Sequence, residues 1–190
     1  MPTLDHAPVW EFRWPDPVAI QVASERILRE LRTRASADGT ELTSLNLRLP
    51  VMVRMESTAG AEELARALLL TPWGVERIYW HPHGQEQSSI IESAFPLEAD
   101  TEGRVAKGQG VLLRVAGSPR PVLIGWEPET GHYFVETLLH SVQEFDTIEE
   151  AFNMAQGVRP LRKPKMPTIS DQMQRQVSRR QLLGFWRGGS

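Results

Sequence analysis

Two imidazoles stand one residue apart in His81-Pro82-His83, and the Glu86 carboxylate follows three residues later. No other stretch of the chain resembles a set of metal ligands. A closed zinc site needs four ligands, and His6, His132 and His140 are remote in sequence. The spacing therefore predicts a solvated, proline-bearing turn with no resident metal. The chain contains no cysteine. That removes disulfides, thiolate metal sites, iron–sulfur ligation and thiol nucleophiles. No glycine-rich loop leads from a strand into a helix, so no phosphate cradle is expected. Gly108-Gln109-Gly110 precedes a strand, which is the wrong context. No serine lies in a nucleophile-elbow sequence. The acid pairs Glu62-Glu63 and Glu149-Glu150 read as solubilising surface. A bound cofactor is not expected, and an enzyme using His81, His83 or His132 stands only as an alternative.

The residues most suited to recognition are at the other end of the chain. Ser178-Arg179-Arg180-Gln181-Leu182-Leu183-Gly184-Phe185-Trp186 joins two arginines to four large apolar side chains. Leaving such side chains in water costs about 25 cal/mol per Å² of apolar area. The segment is expected to dock, on its own domain or on a partner. It reads like a twin-arginine export motif but stands at the wrong terminus, with no apolar stretch or cleavage site after it. Arg179 and Arg180 suit bidentate contacts with carboxylates, and Leu182 and Leu183 supply apolar area.

Charge is unevenly spread. Residues 159–190 carry eight Lys/Arg against one acid, a charge of +7. With −3 over the whole chain, residues 1–158 carry −10. This is a basic arm on an acidic body. The basic residues are too sparse to predict a nucleic-acid partner. No apolar run reaches the length of a membrane span, and the N-terminus has no secretory pattern. A cytoplasmic protein without membrane insertion is expected.

The elements that position these residues are legible from periodicity. Residues 1–15 read as an extended leader whose Trp10, Phe12 and Trp14 share one side. Asp16-Pro17 opens a helix, with Asp as N-cap and Pro at its first position. Ile20, Ala23, Ile27, Leu28 and Leu31 form its apolar stripe, and Asp38-Gly39 ends it. Strands are expected from Leu49, over Ala65–Leu70, over Val75–Trp80, weakly over Ile90–Leu97, and over Gly110–Ala116, Pro121–Trp126 and Tyr133–Leu139. Short turns between them predict a mainly antiparallel sheet. Asp146-Thr147-Ile148-Glu149 has a capping-box pattern, and Ile148, Ala151, Phe152 and Ala155 give the second helix its buried face. The proline-rich basic stretch from Arg159 reads as a linker to the terminal peptide.

Four segments together resemble the nickel–iron hydrogenase assembly chaperone family typified by HybE and HupJ. They are Leu49-Pro50-Val51-Met52-Val53, Leu69-Leu70-Thr71-Pro72-Trp73, the stretch Thr137–Phe145 with Leu138, Glu144 and Phe145, and Ser178–Leu183. Order and spacing carry the likeness, which covers roughly residues 17–185. Glu76 and Arg77 stand where the family continues with an apolar strand, and Ser141 replaces a proline. The resemblance implies a non-catalytic cytoplasmic protein that holds a hydrogenase subunit, often the small-subunit precursor, before assembly. It points to Thr71, Pro72, Trp73, Leu138, Glu144, Phe145, Arg179, Arg180, Leu182 and Leu183 as partner-binding residues. An accessory or scaffolding protein for another enzyme complex is the main alternative.

The expected architecture is therefore α+β. A leader (1–15) precedes a single domain (16–158), and a basic, flexible C-terminal arm (159–190) follows. In the domain, a mainly antiparallel sheet is covered on one face by an N-terminal and a C-terminal helix.

Overall fold

The structure, a computed structural model, describes residues 7–56, 64–81 and 90–158. Helix α1 spans Pro17–Asp38 and helix α2 spans Ile148–Ala155. Between them run strands β1 (Met52–Glu56), β2 (Ala65–Thr71), β3 (Gly74–Trp80), β4 (Ile91–Glu92), β5 (Gly110–Val115), β6 (Ser118–Glu127) and β7 (Gly131–Leu139). They form one sheet in the order β1-β2-β3-β7-β6-β5-β4, with every neighbouring pair antiparallel. The chain divides into two units, Met1–Val158 and Arg159–Ser190, and the second lies outside the described residues.

The ends of α1 match their sequence signals. Asp16 Oδ1 accepts the Ala19 N–H at 3.0 Å. Gly39 adopts the left-handed conformation (φ 64°), which a side chain would strain, and its N–H reaches the Ala35 carbonyl. The buried stripe is rotated from expectation. Ile20, Ala23, Ser24 and Leu28 are buried, while Ile27 is exposed. The cap of α2 also shifts by one residue. Thr147, not Asp146, caps it by accepting the Glu150 N–H, and the Glu150 carboxylate takes the Asp146 N–H.

The two helices lie on opposite faces of the sheet, not on one. Successive side chains of a strand alternate between faces. On β2, Leu68 and Leu70 pack with Val75, Ala151 and Phe152 beneath α2. Ala67 and Leu69 pack with Ile20, Leu28, Ile78 and Trp80 beneath α1. The α2 face continues across the far half of the sheet as a third cluster. Tyr79, Phe134, Ile124, Val122, Val111 and Leu113 lie there, with Trp10 and Phe12 of the leader laid over them. That coverage stops short of the expected pattern, because Trp14 is 75% exposed. The Ile90–Leu97 strand is also reduced to Ile91–Glu92.

Candidate functional site

Thr71, Pro72 and Trp73 form the β2–β3 hairpin. The Thr71 hydroxyl accepts the Gly74 N–H and donates to the Gly74 carbonyl, both at 3.1 Å, so the turn is closed on itself. Thr71 and Pro72 are buried; Trp73 is half-buried at the edge of the α1-side core. The Pro72 carbonyl accepts the Asn46 N–H at 2.8 Å. Asn46 Nδ2 in turn donates to the carbonyls of Val142 (3.0 Å) and Phe145 (2.8 Å), bonds that reach across 96 and 99 residues. Asn46 therefore ties the hairpin, through its backbone N–H, to the β7–α2 connection, through its side-chain amide. It gathers Thr71, Pro72, Trp73 and Phe145 at one end of the sheet. Leu49 and Leu138 pack in the same core cluster as Phe145. Phe145 is buried and so frames this end instead of presenting itself, whereas Glu144 is exposed. Beside it, Thr43, Leu45, Asn46, Leu47, Arg48 and Gln143 line an open cleft of about 440 Å³. Nothing in the sequence pattern marks Asn46; its role follows from two contacts remote along the chain.

A second feature lies on the α1 face. Its strand rows read across the sheet as Glu76, Thr137, Pro121, Leu112 and Glu92, then Ile78, Val135, Leu123 and Gly110. Helix α1 covers the β1–β2 side and reaches β6 near Glu127, which pairs with Arg26 at 3.5 Å. Among the described residues no element covers the rest. Leu112 (42%) and Leu123 (50%) are correspondingly exposed. They line a groove of about 400 Å³ with Pro121, Val135 and Thr137. At the boundary between covered and open halves, Tyr133 lies against Gly125, where a Cβ would fall 2.3 Å from the ring. Burial pushes the Tyr133 hydroxyl well up, and the Glu127 and Glu76 carboxylates add to that. Burial likewise raises Glu76 above the usual glutamate range.

The opposite face holds a polar network. Arg77 grips Glu56 through two bonds (2.8 and 3.3 Å) and lies 3.5 Å from Glu136. The Tyr79 hydroxyl donates to Glu136 at 2.6 Å. Burial, reinforced by Glu136, holds that phenol up at about 12. Arg120 also reaches Glu136 at 3.3 Å, so two carboxylates face two guanidiniums and the network is suited to bracing the sheet between its two core clusters.

The histidines are divided. His132 is buried, with Nε2 2.9 Å from the Val105 carbonyl and Nδ1 2.8 Å from the Glu11 N–H. Through Glu11, whose carbonyl also lies 3.1 Å from Nδ1, His132 fastens the leader to β7. His81 is buried and stacks on Phe12 at 4.5 Å between centroids. His140 is exposed, and His6, His83 and Glu86 lie outside the described residues. Among the described residues, no three His, Asp or Glu side chains are placed to hold a metal ion. Arg179, Arg180, Leu182 and Leu183 are also outside them.

No protein-family model, curated protein or solved structure matches the chain. No helix among the described residues is long and apolar enough to cross a membrane.

Proposed function

We propose that this chain is a non-catalytic assembly chaperone that binds a nickel–iron hydrogenase subunit, with the small-subunit precursor as the favoured client, before the enzyme assembles in the cytoplasm. One observation carries the reading. Three segments that resemble the hydrogenase chaperone family, separated by up to some ninety residues, meet at one end of the sheet around Asn46. Shared packing gives a physical reason for those segments to occur together. Within this site, Trp73 and Glu144 are the accessible members, while Thr71, Pro72 and Phe145 hold them in place. Arg179, Arg180, Leu182 and Leu183 supply a second set of contacts from the basic arm.

A broader reading, an accessory protein for a different enzyme complex, is favoured by the open apolar groove, which suits polypeptide binding whatever the client. Calorimetric titration of the purified chain with hydrogenase small-subunit precursor and, separately, with large subunit separates the two. Saturable binding of either subunit, weakened about thirtyfold or more by Trp73→Ala as expected for an interface anchor worth roughly 2 kcal/mol, supports the hydrogenase reading. Binding of neither subunit refutes it.

A further inference from the structure

Strands whose consecutive residues are all apolar are the mark of a sheet covered on both faces. Val111-Leu112-Leu113 on β5 and Val122-Leu123-Ile124 on β6 are such runs. Their outer members belong to the core on the α2 face: Val111, Leu113, Val122 and Ile124 are all buried. Their middle members point the other way and are exposed, although they stand among apolar neighbours. These two strands are built for two covers, and the described residues supply one. We propose that the open half of the α1 face docks an amphipathic helix of a partner protein, which sets two large apolar side chains over Leu112 and Leu123 and a lysine or arginine at Glu76.

The dimensions favour a helix. The groove spans β7, β6 and β5, two strand spacings or roughly 10 Å, which a helix laid across the strands covers in about two turns. The same face already carries a helix, α1, over its other half, so a partner helix extends an existing layer. Glu76 lies on β3, two strand spacings from β6, again roughly 10 Å. Two turns of helix cover that distance, so a cation seven residues from an apolar anchor meets both.

Charge selects the partner. On this face Glu92 pairs with Arg114, and Glu127 pairs with Arg26. Glu76 is half-buried and has no ion pair among the described residues. Burying a lone carboxylate further is costly, and a cation relieves that cost. The −10 charge of residues 1–158 favours a basic segment. The proposal deepens the chaperone reading by giving the client a place to bind, but it does not depend on the client being a hydrogenase. Failure of hydrogenase subunits to bind leaves the groove test below unaffected.

The test uses the full-length chain with methyl-labelled leucine and valine, titrated with a synthetic helix-forming peptide of about 18 residues. The peptide carries two leucines one turn apart and an arginine two turns from one of them. The expected result is saturable shifts of the Leu112, Leu123 and Val135 methyl signals. Leu123→Asp, at an exposed position, removes them. Glu76→Lys weakens the arginine peptide about tenfold or more and strengthens a peptide with glutamate in place of that arginine, as charge complementarity requires. Glu76→Gln, the milder change, weakens the arginine peptide and is indifferent to the swap. Three results overturn the proposal. The methyl signals stay fixed at millimolar peptide; they move with protein concentration alone, which makes a second copy the occupant; or deletion of residues 159–190 moves them without peptide, which makes the chain's own arm the occupant.

Discussion

Asn46→Ala tests whether the Asn46 side-chain amide holds its loop to the β7–α2 connection. The Asn46 side chain is 6% exposed and donates both amide hydrogens to backbone carbonyls, at 3.0 and 2.8 Å. A hydrogen bond of this kind contributes about 0.5–1.5 kcal/mol net, and a buried acceptor left bare costs about 1–3 kcal/mol. Water reaching one of the two carbonyls through the neighbouring open cleft moderates the loss. The expected destabilisation is about 2–4 kcal/mol, lowering Tm by roughly 5–15 °C for a domain of this size. Asn46→Asp keeps the shape but turns the donor into a carboxylate facing two carbonyl oxygens. It is expected to destabilise more than Asn46→Ala at neutral pH. The introduced acid is disfavoured when ionised, so its folded pKa is raised above its unfolded value. The penalty therefore shrinks as pH falls through the folded pKa and is smallest below the unfolded one. Urea denaturation of the wild-type chain and both variants, at neutral and acidic pH, measures these differences. A loss under about 0.5 kcal/mol for Asn46→Ala, with an unchanged m-value, refutes the clamp.

Two further perturbations probe the α1 face. Gly125→Ala places a methyl group 2.3 Å from the Tyr133 ring and is expected to cost about 1–3 kcal/mol; thermal melts check this, and combining it with Tyr133→Ala should recover part of the loss. Glu76→Gln removes a carboxylate whose pKa burial raises above the ordinary 4.5. A raised acid favours the folded state when protonated, so the wild-type chain loses stability as pH rises from the unfolded pKa through the folded one. The glutamine variant is therefore expected to be more stable than wild type at neutral pH, with no advantage below the unfolded range; equal stability at every pH contradicts the burial of Glu76.

Local signals were sufficient where the chain interacts with its own neighbourhood. Asp16, Pro17 and Gly39 delimit α1 because capping is settled within four residues. The alternation of β3 and the turn residues before β7 likewise placed those strands in an antiparallel sheet. Periodicity was less able to orient a helix whose stripe is broad. Ile27 and Ser24 both fit α1 at helical spacing, and contact with the sheet buried the serine instead of the isoleucine. At α2, Thr147 and Asp146 are both competent caps, and the Glu150 carboxylate reaching back to the Asp146 N–H decided between them.

The candidate site was legible only in part. Thr71, Pro72, Trp73, Leu138 and Phe145 were visible as motif residues, but their convergence depends on Asn46, whose sequence surroundings carry no pattern. Strands were legible at β5 and β6; that Leu112 and Leu123 face a side with no cover among the described residues could not be read from them. Period-two alternation says that neighbouring residues point to opposite sides, and it is silent on what lies there. The sequence by itself determined the elements, their caps and an antiparallel sheet, because these rest on interactions a few residues long. The tertiary structure alone decided that α1 and α2 take opposite faces, that Asn46 joins three distant segments, and that half of one face has no cover among the described residues, because each is fixed by packing between parts of the chain far apart in sequence.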